Sequence, residues 1–175
     1  MADGTLKVGT ITTSSGSGNI SIGSGVTLNA NTPCFYGQVA SDTTITRATD
    51  TKVVGMTNSE VDTDSAFDGT TFTVPSGKAG KYYIIGTLSA EYGGIGGDGE
   101  FTKVKIFKNG SSLKTSAFQN TASAVQSETT VSIYVISDLS VGDTIEMYAY
   151  IQDASGGTGD YFAQATSLGG YKIGA

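Results

Sequence analysis

The side chains with the most chemical potential are acidic. Glu60, Asp62, Asp64 and Asp68 crowd a stretch rich in turn formers. The spacing Asp62-Thr63-Asp64, followed by Asp68-Gly69, is similar to that of oxygen-rich Ca²⁺ loops, which makes Asp62, Asp64 and Asp68 the candidate metal ligands. The full EF-hand pattern and its closing Glu are missing. Acidic loop residues are ordinarily solvated, so the favoured reading is a loop without a cofactor, and Ca²⁺ is the alternative. Paired carboxylates could also act as acid and base in a hydrolase. Little else supports an enzyme. The 175 residues contain no histidine, which removes Ser-His-Asp, Cys-His and His-ligated metal chemistry together. The single cysteine, Cys34, excludes an intramolecular disulfide and has no Lys or Arg close in sequence to activate it. Beside Phe35 it reads as a small buried hydrophobe. A non-enzymatic protein is expected.

Gly93-Gly94-Ile95-Gly96-Gly97-Asp98-Gly99 has the glycine content of a phosphate cradle, but no Lys-Ser/Thr ending and no helix after it. It reads better as a recognition loop, with Tyr92, Ile95 and Asp98 as its candidate contacts. A net charge of −6 leaves no electrostatic footprint for phosphate backbones, so nucleic acid is not an expected partner. No apolar run approaches the ~18 residues of a membrane-spanning helix, and membrane insertion is not expected. Met1-Ala2-Asp3-Gly4 has neither the basic nor the apolar region of a secretory signal, so assembly in the cytoplasm is the expectation, with a removed leader as the alternative.

These residues need a scaffold, and composition indicates which. Glycine is abundant at 25, proline scarce at 2, and Ser and Thr are frequent. Such a mixture suits short strands joined by tight turns. Strands are predicted at 34–40, 52–58, 71–75, 81–92, 100–108, 128–136, 144–152 and 161–173. Asn109-Gly110 suits a type I′ hairpin turn, while Val141-Gly142-Asp143 and Ala154-Ser155-Gly156-Gly157 punctuate later runs. Ser116–Ser127 reads as a loop or an edge strand. No convincing period near 3.6 occurs, so the expected fold is an all-β sandwich or jelly roll.

Residues 1–32 differ from the rest. Leu6, Val8 and Ile11, then Ile20, Ile22, Val26 and Leu28, alternate in two short segments around a Ser/Gly connector. They read as an extended β arm that docks on, or exchanges with, another sheet or subunit; a frayed tail or extra edge strands are the alternatives. The domain proper is then 33–175. Within it, Tyr82-Tyr83-Ile84-Ile85-Gly86-Thr87-Leu88 does not alternate, and Val131–Ile136 barely does. Both strands look covered on two faces. A neighbouring subunit is the simplest second layer, with the arm or a long loop as the other source.

Phe67-Asp68-Gly69-Thr70-Thr71-Phe72-Thr73-Val74-Pro75, followed by Ala79-Gly80-Lys81-Tyr82-Tyr83, resembles the complement C1q / tumour-necrosis-factor-like jelly-roll family. Lys105-Ile106-Phe107-Lys108-Asn109-Gly110, Leu139-Ser140-Val141-Gly142-Asp143-Thr144-Ile145 and Ser167–Ile173 resemble later family elements in the same order. Leu168 and Gly169 depart from the aromatic and Ser of the closing strand. The resemblance implies a compact homotrimer that binds without catalysis, with Tyr36, Tyr82, Tyr83, Ile85, Tyr134, Ile136 and Tyr171 as candidate interface residues. It also implies second-rank Ca²⁺ positions at Asp98-Gly99-Glu100 and at Asp153 with Asp160. The chain has no collagen-like stalk, and Thr5–Leu28 instead resembles segments of tailed-phage virion proteins. The expected role is a capsid decoration protein on the virion surface, partnered by the major capsid protein or other virion proteins. A receptor-binding fibre tip recognising host surface glycans is the alternative.

Overall fold

The computed structural model describes residues 24, 32–92, 99–119, 128–153 and 158–174. The chain divides into Met1–Asn31 and Thr32–Ala175, and the fold is that of the second unit. Among the described residues its strands are β1 (Cys34–Gln38), β2 (Thr43–Ile45), β3 (Thr51–Lys52), β4 (Asn58–Asp62), β5 (Thr71–Thr73), β6 (Gly80–Tyr92), β7 (Gly99–Lys108), β8 (Ser111–Gln119), β9 (Glu128–Leu139), β10 (Thr144–Asp153), β11 (Gly159–Tyr161) and β12 (Ser167–Gly174). All pairings are antiparallel. In the first sheet the order β4-β1-β12-β6-β9 is extended at the far end of β6 by β11 and then β2. In the second the order is β3-β10-β7-β8, with β5 also on β10.

Period-two alternation builds the core between the sheets. Tyr82, Ile84, Leu88 and Ala90 of β6 point inward, as do Val104 and Ile106 of β7 and Ile145, Met147, Ala149 and Ile151 of β10. Aromatic rings close one region: Phe35 stacks on Phe72 at 4.2 Å between centroids, and Phe72 meets Tyr82 at 5.7 Å. Gly37 is required there, because a Cβ would come within 2.6 Å of both the Met56 carbonyl and the Phe67 ring.

Two turns are tied together. Asn109 and Gly110 both have positive φ, as a type I′ turn between β7 and β8 demands. The Asn109 amide donates to Asp143 Oδ1 at 2.7 Å, and Asn109 Oδ1 accepts from the Thr144 N–H. Lys108 Nζ lies 2.8 Å from Asp143 Oδ2, which also accepts from the Ser140 N–H. Hydrogen bonds from Asn109, then Lys108 and Ser140, hold the Asp143 carboxyl at about 2, below its ordinary value.

Predicted and observed strands differ where burial overrides local pattern. Residues 52–58 do not form one strand: Val53 and Met56 are buried in an irregular link between β3 and β4, which belong to different sheets. The edge strand β8 begins at Ser111, earlier than the ambiguous 116–127 stretch suggested. The predicted 161–173 strand breaks into β11 and β12, with Gln164 at positive φ between them.

Candidate functional site

The outward face of the first sheet carries a contiguous apolar surface. Register places Val61, Tyr36, Gly169, Ile85 and Tyr134 in one row across β4, β1, β12, β6 and β9. The adjacent row holds Cys34, Tyr171, Tyr83 and Ile136. Side chains directly opposite one another share a face, so these residues form a single patch. Tyr134 is 69% exposed, Ile136 60%, Tyr171 48% and Ile85 40%. The Tyr83 and Tyr171 rings meet at 5.6 Å. Gly169 leaves room for the Tyr36 ring, since a Cβ there would approach its Cδ2 to 2.9 Å. Further along the face, chemistry changes by row: Thr87 bonds Ser132, Ser89 bonds Thr130, and then Glu91 stands between Asp160 and Glu128. The surface thus runs from apolar through hydroxyl to acidic.

A second surface, of mixed polar and apolar character, lies at the edge of the sandwich. Among the described residues β9 pairs only with β6, and β8 only with β7, so both present a free edge. Between them runs a groove of about 310 Å³ lined by Lys114, Thr115, Ser116, Ser132, Ile133 and Tyr134. Leu113 and Phe118 of β8 are exposed beside it.

The predicted site residues separate clearly. Tyr36, Tyr83, Ile85, Tyr134, Ile136 and Tyr171 all lie on the outward patch. Tyr82 does not: it is wholly buried in the core, and its hydroxyl donates to the Lys78 carbonyl at 2.7 Å. The two-residue period of β6 sends Tyr82 inward and Tyr83 outward. Burial, with the Asp64 carboxylate second, raises the Tyr82 phenol above its ordinary pKa. Tyr92 is likewise a core residue, with its hydroxyl against Thr102 Oγ1, and is not a loop contact. Ile95 and Asp98 lie outside the described residues, as do the arm side chains Leu6, Val8, Ile11, Ile20, Ile22, Val26 and Leu28. Cys34, expected in the core, is half-buried on the outward face. Val61 and Ile173 were not singled out from the sequence, yet both are exposed on β4 and β12; the alternation of Ile173 with Tyr171 was the available signal.

The acidic loop is built as turns. Asp62 accepts from the Ala66 and Phe67 N–H groups, and Asp68 Oδ1 accepts from those of Thr70 and Thr71. Asp64 faces Lys78 at 4.0 Å and accepts from the Thr63 hydroxyl. Among the described residues no group of three His, Cys, Asp or Glu side chains converges to hold a metal.

No family model matches the sequence, and no curated protein sequence matches it. Solved structures do. The globular domain of zebrafish complement 1qA protein superposes with a TM-score of 0.58 at 16% identity, covering 81% of this chain and 97% of that one. Eiger TNF from S. frugiperda gives a TM-score of 0.55 at 9% identity, covering 81% and 91%. The fold is therefore an all-β jelly roll of the C1q/TNF-like type.

Proposed function

We propose that this chain is a non-enzymatic binding and structural module that assembles as a homotrimer through the outward face of its first sheet. The observation that carries the reading is the outward row of half-buried Tyr36 with exposed Ile85 and Tyr134, and with Tyr83, Ile136 and Tyr171 beside it. Monomeric proteins rarely leave so large a contiguous apolar surface in water. The apolar face and the mixed β8–β9 edge adjoin at Tyr134 but are not the same surface of one copy. A face-to-edge contact between copies is heterologous and gives a ring where its rotation closes, whereas a two-fold contact would use one surface twice. The C1q/TNF-like fold supports three as the number.

The trimer serves as a capsid decoration protein on a virus head, with residues 1–32 as its docking arm. The support for this step is the Ser/Gly/Thr-rich character of that segment and its two alternating apolar runs. A protein that binds only the assembled shell stabilises it by mass action. Added to undecorated shells, the full chain binds in multiples of three copies and raises the rupture temperature, while residues 33–175 form a trimer that does not bind. Unchanged rupture temperature, or full decoration by the truncated chain, refutes the role.

A further inference from the structure

The second sheet turns a different surface to solvent. Outward positions read Phe101, Lys103, Lys105 and Phe107 on β7, and Gln152, Tyr150, Tyr148 and Glu146 opposite them on β10. Phe107 stacks on Tyr148 with centroids 4.0 Å apart. The Lys103 ammonium lies 4.5 Å from the centre of the Tyr150 ring and 5.3 Å from that of Phe101. Lys105 stands 5.8 Å from Tyr150. The strip from Phe101 to Phe107 is about 20 Å long, at roughly 3.4 Å per strand residue.

We propose that this strip binds an acidic polysaccharide, its sugar faces lying on the rings and its carboxylate or sulfate groups drawn to Lys103. Three observations favour that occupant. Four large rings lie on the outward side of the sheet, half-buried, and contribute nothing to the core between the sheets. Rings on a flat β surface offer planar platforms whose polar flanks fix orientation. The charge of the strip is also opposite to that of the protein. Lys52 is matched by Glu146 at 2.6 Å and Lys105 by Asp50 at 2.5 Å, whereas Lys103 has no carboxylate partner among the described residues. An ammonium held over aromatic faces, on a chain of net charge −6, is a local site for an anion. The strip is on the opposite side of the sandwich from the apolar face of the first sheet, and β8 separates it from the β8–β9 edge of the proposed subunit contact.

The test is calorimetric titration of the full-length protein with alginate and with dextran sulfate, using unsubstituted dextran and duplex DNA as comparisons. Both acidic polysaccharides bind, and dextran and DNA bind at least about tenfold more weakly, a difference of about 1.4 kcal/mol. Lys103→Gln and Tyr150→Leu each weaken the polysaccharides by about tenfold, while Lys81→Gln, remote on β6, leaves affinity unchanged. Sedimentation of each variant at wild-type mass separates loss of the ligand from loss of assembly. Absence of binding by either acidic polysaccharide overturns the proposal. So does equal affinity for dextran or DNA, or unaltered affinity in Lys103→Gln.

Discussion

Replacing Ile85 by Lys places a charge at the centre of the outward patch without touching the core. Ile85 remains 40% exposed in a single copy, opposite Tyr134 on one side and Gly169 on the other. Full burial of an isoleucine side chain contributes about 1.5–3 kcal/mol, so covering the remaining fraction contributes roughly 0.6–1.2 kcal/mol per copy. A closed ring of three contains that contribution three times, about 2–4 kcal/mol in all. An ammonium trapped at each contact adds a desolvation penalty of several kcal/mol per ion. At 1.4 kcal/mol per factor of ten, trimer formation should weaken by about a thousandfold or more. The isolated fold should barely respond, within about 0.5 kcal/mol, because the side chain points away from the core. Sedimentation velocity over a concentration series measures the first quantity, and urea unfolding of the dissociated chain measures the second. Wild-type association by Ile85→Lys would refute the reasoning. A loss of intrinsic stability typical of a core substitution would do so too, by placing Ile85 in the fold and not in the contact.

Other positions test the packing and the turns. Gly37→Ala should destabilise by roughly 2–3 kcal/mol, because the Met56 carbonyl it meets at 2.6 Å is backbone and cannot swing aside. Gly86→Ala meets the flexible Met147 thioether at 2.7 Å and should cost only about 1 kcal/mol; the reverse order in denaturant unfolding would contradict the core described. Asp143 has a folded pKa of about 2 against about 3.9 unfolded. Its contribution is therefore present above about pH 4 and is lost as pH falls through about 2. Asp143→Asn should be less stable at neutral pH by about 1–3 kcal/mol and should lose less than wild type between pH 4 and pH 2, measured by urea unfolding. Tyr82→Phe removes the hydrogen bond to the Lys78 carbonyl and should cost about 1 kcal/mol while leaving oligomeric mass unchanged.

The fold was legible because strand periodicity and turn chemistry are local. Asn109-Gly110 and Gly142-Asp143 occupy turns as expected, and the hydrogen bonds between them explain why those residue types recur at the two positions. The outward patch was legible only in part. Runs such as Tyr82-Tyr83-Ile84-Ile85 announce two apolar faces, but they do not say which member of each pair points inward. The absolute phase of the alternation is set by what each strand packs against. That is why Tyr82 and Tyr92 proved to be core residues, while Tyr83 is half-buried on the outward face and Ile85 is exposed there. The aromatic and lysine strip had a plain signal, Phe101, Lys103, Lys105 and Phe107 at alternate positions. Its significance emerges only when β10 brings Tyr148 and Tyr150 alongside. Long-range partners, such as Met56 under Gly37 or Asp50 beside Lys105, leave no local trace in the chain.

Sedimentation equilibrium of the full-length protein at micromolar concentration measures the assembly directly. A single species at three times the chain mass, dissociating on dilution or on Ile85→Lys substitution, is the predicted result. A stable monomer across that range, with the Tyr36, Ile85 and Tyr134 face left in water, would contradict the account.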